Sequence, residues 1–95
     1  MRLEIITPES KIFAGEAEAV QLPGLDGSFQ VLNNHAAIIS GLAEGTVKVD
    51  LSAPFDAEEQ GNKHIITDSN PSVIRVHIKG GVMEMQNNKV VVLAE

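Results

Sequence analysis

Hydrophobic residues fall in short runs with a period near two, separated by Pro, Gly, Asn and Asp. That period puts alternate side chains on opposite faces of an extended strand. Leu3 and Ile5, ended by Thr7-Pro8, predict a first strand. A longer strand is predicted over 12–22, with a break in parity. Ala17 alternates with Glu16 and Glu18, whereas Val20 and Leu22 alternate with Gln21 on the other parity. A one-residue phase slip inside a strand predicts a β-bulge. Pro23-Gly24 and Asp26-Gly27 predict a tight turn. Residues 28–32 read as a strand, Asn33-Asn34-His35 as a polar loop, and 38–42 as a further strand.

Val47, Val49 and Leu51 predict one face of the next strand. The clearest alternation comes later. Ile74, Val76 and Ile78 oppose Arg75, His77 and Lys79, and Met83 and Met85 oppose Glu84 and Gln86. Each predicts a half-buried strand with one wet face. Gly80-Gly81 turns the chain between them, and Asn87-Asn88 suits a two-residue hairpin. Val90-Val91-Val92-Leu93 is nearly continuous, which predicts a strand deep between two layers. Residues 50–72 interrupt the rhythm. They predict an elaborated hairpin connection, with about two helical turns over 53–60 capped by Ser52 and stopped by Gly61. An extra short strand is predicted over 64–67. The fold class is therefore all-β: eight or nine strands in a sandwich or flattened barrel, as one domain over 1–95.

Composition supports this reading. Val and Ile together number 19 against 7 Leu in 95 residues. β-branched side chains fit a pleated surface and lose freedom in helices. The net charge of −6 opposes nucleic-acid binding or attachment to an anionic membrane through a basic surface. Asp50, Asp56, Glu58 and Glu59 put four acids and no base into 50–62, which predicts an acidic surface on the connection. No Cys is present, so disulfides and thiol chemistry are excluded. No apolar run approaches the ~18 residues of a membrane span.

Reaction chemistry is scarce. The segment Gly24-Leu25-Asp26-Gly27 joins two strands and opens no helix, so it lacks the free N–H groups that hold phosphate. Glu58 and Glu59 are adjacent and diverge on a helix rather than facing one another. His64 and His77 flank Asp68, but His77 falls on a solvent face, so neither metal nor cofactor is expected. His35 stands apart, in a loop followed by Ala36-Ala37. A small β domain of this kind is expected to work by contact, through Ala14-Gly15, Ala36-Ala37 and the apolar residues of 38–42. A stand-alone ligand- or peptide-binding sandwich is the alternative, weakened by the absence of Trp and Tyr.

In order and spacing, three stretches resemble the epsilon subunit of rotary F-type ATP synthases. They are Leu3-Glu4-Ile5-Ile6-Thr7-Pro8 with Val20-Gln21-Leu22-Pro23-Gly24, then Asn33-Asn34-His35-Ala36-Ala37-Ile38-Ile39, and finally the closing hairpin from Val76 to Ala94. The resemblance implies a ten-stranded sandwich of the epsilon N-terminal type. It implies a non-catalytic rotor subunit that links gamma to the c-ring and couples proton translocation to ATP synthesis in the alpha/beta head. It places His35, Ala36 and Ser40 against gamma, and Ser28, Asn33, Asn34 and His35 against the c-ring. It implies no cofactor, and a peripheral location at the cytoplasmic face of an energy-transducing, bacterial plasma membrane, reached only through the c-ring. Ser28 stands where relatives often carry an acid, and Asn33-Asn34 and Ala37 replace the Pro-Gly and Pro that flank the histidine, which implies a less rigid loop. The C-terminal inhibitory helices of many members are not expected within these residues.

Overall fold

The computed structural model describes residues 1–95. It contains nine strands and one short helix. The strands are β1 (Arg2–Ile6), β2 (Lys11–Gly24), β3 (Gly27–Leu32), β4 (Ile38–Leu42), β5 (Gly45–Leu51), β6 (Ile65–Thr67), β7 (Val73–Ile78), β8 (Gly81–Gln86) and β9 (Lys89–Ala94). The helix α1 (Ala57–Gln60) lies between β5 and β6.

The long strand β2 organises the sandwich. Its first half pairs antiparallel with β1, which runs parallel to β9. Strands β8 and β4 continue that layer. Its second half pairs with β3 on one side and β5 on the other, and β7 and β6 continue the second layer. Counted once, β2 gives nine strands. Counted in both layers, it gives the ten that the resemblance implied. The register against β5 shifts between Ala17 and Ala19, where the parity slip predicts a bulge. Glu18 is the extra residue and points to solvent, while Ala17, Ala19 and Val20 stay buried. A bulge locally strengthens strand twist, and this one lets β2 pass from one layer to the other.

One cluster of 20 buried hydrophobic residues fills the space between the layers. Leu3, Ile5, Met83, Met85, Val90 and Val92 enter from the first layer, and Val20, Leu22, Val47, Val49, Ile74 and Val76 from the second. No polar or charged residue is buried. The inward parities expected for the strands around Ile74–Ile78 and Met83–Met85 match the observed burial. The hairpin at Asn87-Asn88 has φ of 53° and 57°. Positive φ at both central residues is what a type I′ turn requires.

Two expectations are corrected. Strand β9 is not sunk between the layers throughout. Val90 and Val92 are buried, but Leu93 is 54% exposed, because β9 obeys the same alternation as its neighbours. The helix is one turn rather than two and is capped by Asp56, not Ser52. An Asp56 oxygen, Oδ1, accepts from the backbone N–H of Glu58 at 3.0 Å and of Glu59 at 3.2 Å. Pro54 holds the residue before it in extended geometry, so the chain cannot start a helix at Ser52.

The connection folds back onto the sandwich. Phe55 packs on Phe13 with ring centroids 6.4 Å apart, and Gln60 Oε1 accepts from the Ala14 N–H at 3.2 Å. Asp68 forms an ion pair with Arg75 of β7. It also accepts from the Asn70 N–H and the Ser69 hydroxyl, both at 3.1 Å. The Arg75 guanidinium, then these two donors, hold the Asp68 carboxyl well below the usual carboxylate range.

Replacing Ile74 by Ala is expected to cost about 2–5 kcal/mol, because a fully buried side chain leaves a cavity. Leu93→Ala is expected to stay within about 0.5 kcal/mol. Urea midpoints of the two variants check both. Asp68→Asn is expected to destabilise the fold at neutral pH. The native carboxyl is depressed, so its stabilisation is full above the ordinary Asp value of about 3.9 and shrinks as pH falls below it. Stability curves for the parent and Asp68→Asn should therefore converge on acidification below about pH 4 and stay parallel from pH 5 to 8.

Candidate functional site

The outer face of the β4–β8–β9 layer carries a strip of apolar side chains. Directly opposed residues of antiparallel strands share a face, so their pairing orients each side chain. Ile39 opposes Glu84 and Gly41 opposes Val82, and all four lie on the outer face. Val82 in turn opposes Leu93. The β2–β3 turn brings Leu25 onto Gly41, where an added Cβ would sit 2.7 Å from Leu25 Cδ1. The Leu25 N–H donates to the Gly41 carbonyl at 3.2 Å. Leu25, Gly41, Val82 and Leu93 thus form one row across three strands, with Ile39 beside it. Ile39 is 71% exposed, Leu25 70% and Val82 45%. Scattered exposed apolar residues need no explanation, but a contiguous strip marks a partner surface.

A cleft of about 370 Å³ adjoins this strip, lined by Ala37, Ile38, Ile39, Glu84, Met85 and Gln86. The Asn33–His35 loop leads into it along the chain, through Ala36 to Ala37. In that loop the His35 N–H donates to the Leu32 carbonyl at 3.1 Å, and Asn34 has φ 62°. A left-handed residue at the third position suits a type II turn, which Asn tolerates. The loop is tied to its surroundings. The Asn34 N–H donates to Asn88 Oδ1 at 2.7 Å, and Asn33 Oδ1 accepts from the Met1 amino group.

The residues expected to contact partners are only partly brought together. His35 and Ala36 are exposed and immediately precede Ala37 of the cleft in the chain, and His35 Nδ1 lies 2.7 Å from the Ala36 carbonyl. Ser40 opposes the buried Met83, so its side chain turns to the core side, with its hydroxyl donating to the Gly41 carbonyl at 3.1 Å. Its neighbour Ile39, one of the apolar residues of 38–42 expected to make contact, is the outward residue. Ser28 is exposed but starts β3, opposite Pro23, whereas Asn33 and Asn34 follow the other end of that strand. About 17 Å of extended chain separates them, so they form two contact points and not one. His64 and His77 border a separate cleft, and no group of three or more His, Cys, Asp or Glu converges anywhere.

The fold and this surface define a β-sandwich whose conspicuous feature is an exposed apolar strip. Comparisons place it further. The family model described as "ATP synthase, Delta/Epsilon chain, beta-sandwich domain" matches residues 1–54. The ATP synthase epsilon chain of Desulforamulus reducens is 35% identical over 94 residues, covering 99% of this chain and 58% of that one. The epsilon chain of Chlorobium limicola is 34% identical over 94 residues, covering 99% of this chain and 88% of that one. In the cryo-EM structure of the Tetrahymena thermophila mitochondrial ATP synthase central stalk and c-ring, one chain superposes with a TM-score of 0.67. It is 14% identical and the match covers 99% of this chain and 62% of that one, a likeness of fold. The chain belongs to the ATP synthase delta/epsilon family and comprises its β-sandwich domain. It spans little more than half the length of several relatives.

The anchor from the β8–β9 hairpin can be tested alone. Asn88→Gly keeps the positive φ of the turn but removes the side-chain acceptor. Amide exchange at Asn34 is expected to quicken by roughly fivefold or more, the effect of losing a hydrogen bond of about 1 kcal/mol or more, with global stability little changed. Unchanged exchange at Asn34 would show that the loop is held elsewhere.

Proposed function

We propose that the chain is the non-catalytic coupling subunit of an F-type ATP synthase rotor, joining gamma to the c-ring as one folded unit over 1–95. The observation that carries this reading is the exposed apolar row Leu25–Gly41–Val82–Leu93 with Ile39, on a sandwich of this family. Gamma docks on that face. Ile39 enters the interface as its apolar anchor, and His35 and Ala36, just before the cleft in the chain, border it. Ser40 contributes from behind the strand, by setting the position of Gly41 and so of Leu25.

The c-ring is engaged through the polar end of the domain. Asn33, Asn34 and His35 supply donors and acceptors held in place by Asn88, and Ser28 is a second, uncharged contact at the far end of β3. Rotation of the ring is transmitted through the stiff sandwich to gamma, and from gamma to the alpha/beta head, where ATP is made. The subunit carries torque and holds register, and no bond is made or broken on it. No helix of the chain is long and apolar enough to cross a membrane. Association with the cytoplasmic face of the energy-transducing membrane follows from the c-ring. The acidic connection faces away from the proposed gamma surface, since β6 lies at the far edge of the other layer.

Calorimetric titration with the gamma subunit tests the reading. Ile39→Ala and His35→Ala are each expected to weaken binding by more than about 1 kcal/mol, roughly sixfold in Kd, as truncation of interface anchors does. Ile39→Asp should abolish it. Full affinity in Ile39→Asp would rule out this face.

A further inference from the structure

The connection between β5 and β7 encloses a second cleft, away from the partner surface and independent of the rotor reading. Lys63, His64 and Ile66 of the connection lie across from His77 and Lys79 at the end of β7, around about 310 Å³. That volume is at the small end of the range for small-molecule sites, about 300–1,000 Å³. The floor is apolar, formed by the buried Ile12, Ile78 and Ala94. Ile66 sits at the rim, 54% exposed.

The charge distribution makes this cleft unusual. The chain has 13 acidic residues and 7 Lys plus Arg, so two cations without a carboxylate partner at one cleft stand out. Arg2, Lys11 and Lys89 gather around Glu4, and Arg75 pairs with Asp68. Lys48, Lys63 and Lys79 form no ion pair, and two of these three border the cleft. Two of the three histidines border it as well. The opposing carboxylates are few. Glu95 lines the cleft, and Glu44 reaches His77 Nε2 at 3.3 Å. Lys63, His64 and Ile66 lie beyond residue 54, where the family match ends.

We propose that this cleft binds a small organic phosphate, its phosphate between Lys63 and Lys79 and its non-polar part against Ile66 and the apolar floor. A lysine ammonium is a compact charge with three donors, suited to phosphate oxygens. The size of the anion follows from the rest of the surface. With a net charge of −6, an extended polyanion or an anionic bilayer meets repulsion from the surface around the cleft, whereas an anion of the cleft's own size avoids most of it. The half-exposed Ile66 then gains cover from the ligand's non-polar part.

The test is an amide-shift titration of the whole chain with phenyl phosphate and, in parallel, methyl phosphate at low salt. Saturable shifts are expected at residues 63–66 and 77–79, with phenyl phosphate the tighter ligand. Lys63→Ala/Lys79→Ala should weaken binding by about tenfold or more, through loss of charge-assisted hydrogen bonds. Lys48→Ala, the remaining unpaired lysine, should leave it unchanged. The substituted side chains are exposed, and the variants' own spectra report whether the fold is kept. Shifts spread evenly over Lys11, Lys48 and Lys89, or full binding in the double variant, would overturn the site. Equal affinity for the two esters would overturn the contact of the ligand's non-polar part with Ile66 and the apolar floor.

Discussion

Everything in this domain depends on the passage of β2 between two layers. A strand of 14 residues must bury Phe13 and Ala17 in one layer's packing and Val20 and Leu22 in the other's. Strict alternation over that length would turn one set out to water. The extra residue at Glu18 resets the parity, so that both sets face the common core. Without it the two layers could not share a strand, and the small core of a 95-residue chain would lose its continuity.

That arrangement decides what is left for function. With both inner faces committed to the core, the outer faces carry whatever contacts the protein makes. On the β4–β8–β9 side, alternation that sends Met83, Met85, Val90 and Val92 inward also sends Val82, Glu84 and Leu93 outward. Apolar residues at two of those outward positions, continued by Ile39 and Leu25, make a surface suited to a permanent partner. The second layer is different. Its edge is extended by β6 and held by the Asp68–Arg75 pair, which gives the connection its own attachment to β7.

Much of this was legible in the sequence, for identifiable reasons. Strands with one wet face announce their parity, so the inward sets of β7 and β8 could be assigned residue by residue. The bulge was visible because Glu16, Glu18 and Gln21 mark the outward positions on either side of it. Leu93 was misplaced because a run of apolar residues carries no parity mark. The orientation of Ser40 and Ile39 was not legible for a related reason. Which of them faces outward is fixed by the register of β4 against β8, more than forty residues away, and not by their own polarity. The cap at Asp56 required weighing Pro54 against Ser52. The cleft of Lys63 and Lys79 could not be found from spacing at all, since only the pairing of β6 with β7 brings its two sides together. Of the stretches that resemble the epsilon subunit, those before residue 54 fall within the family match, and the closing hairpin lies beyond it, in the part of the chain that the relatives' alignments also cover.

The central claim is that the outer face of β4, β8 and β9 is the surface this domain offers to its partner in the rotor. Hydroxyl-radical footprinting of side chains, with and without the gamma subunit, addresses it directly. The account predicts strong protection of Leu25, Ile39, Val82 and Leu93 in the complex, with Ile66 on the opposite layer still labelled as in the free chain. Labelling of Ile39 and Leu93 unchanged by gamma, or protection centred on Ile66, would contradict it.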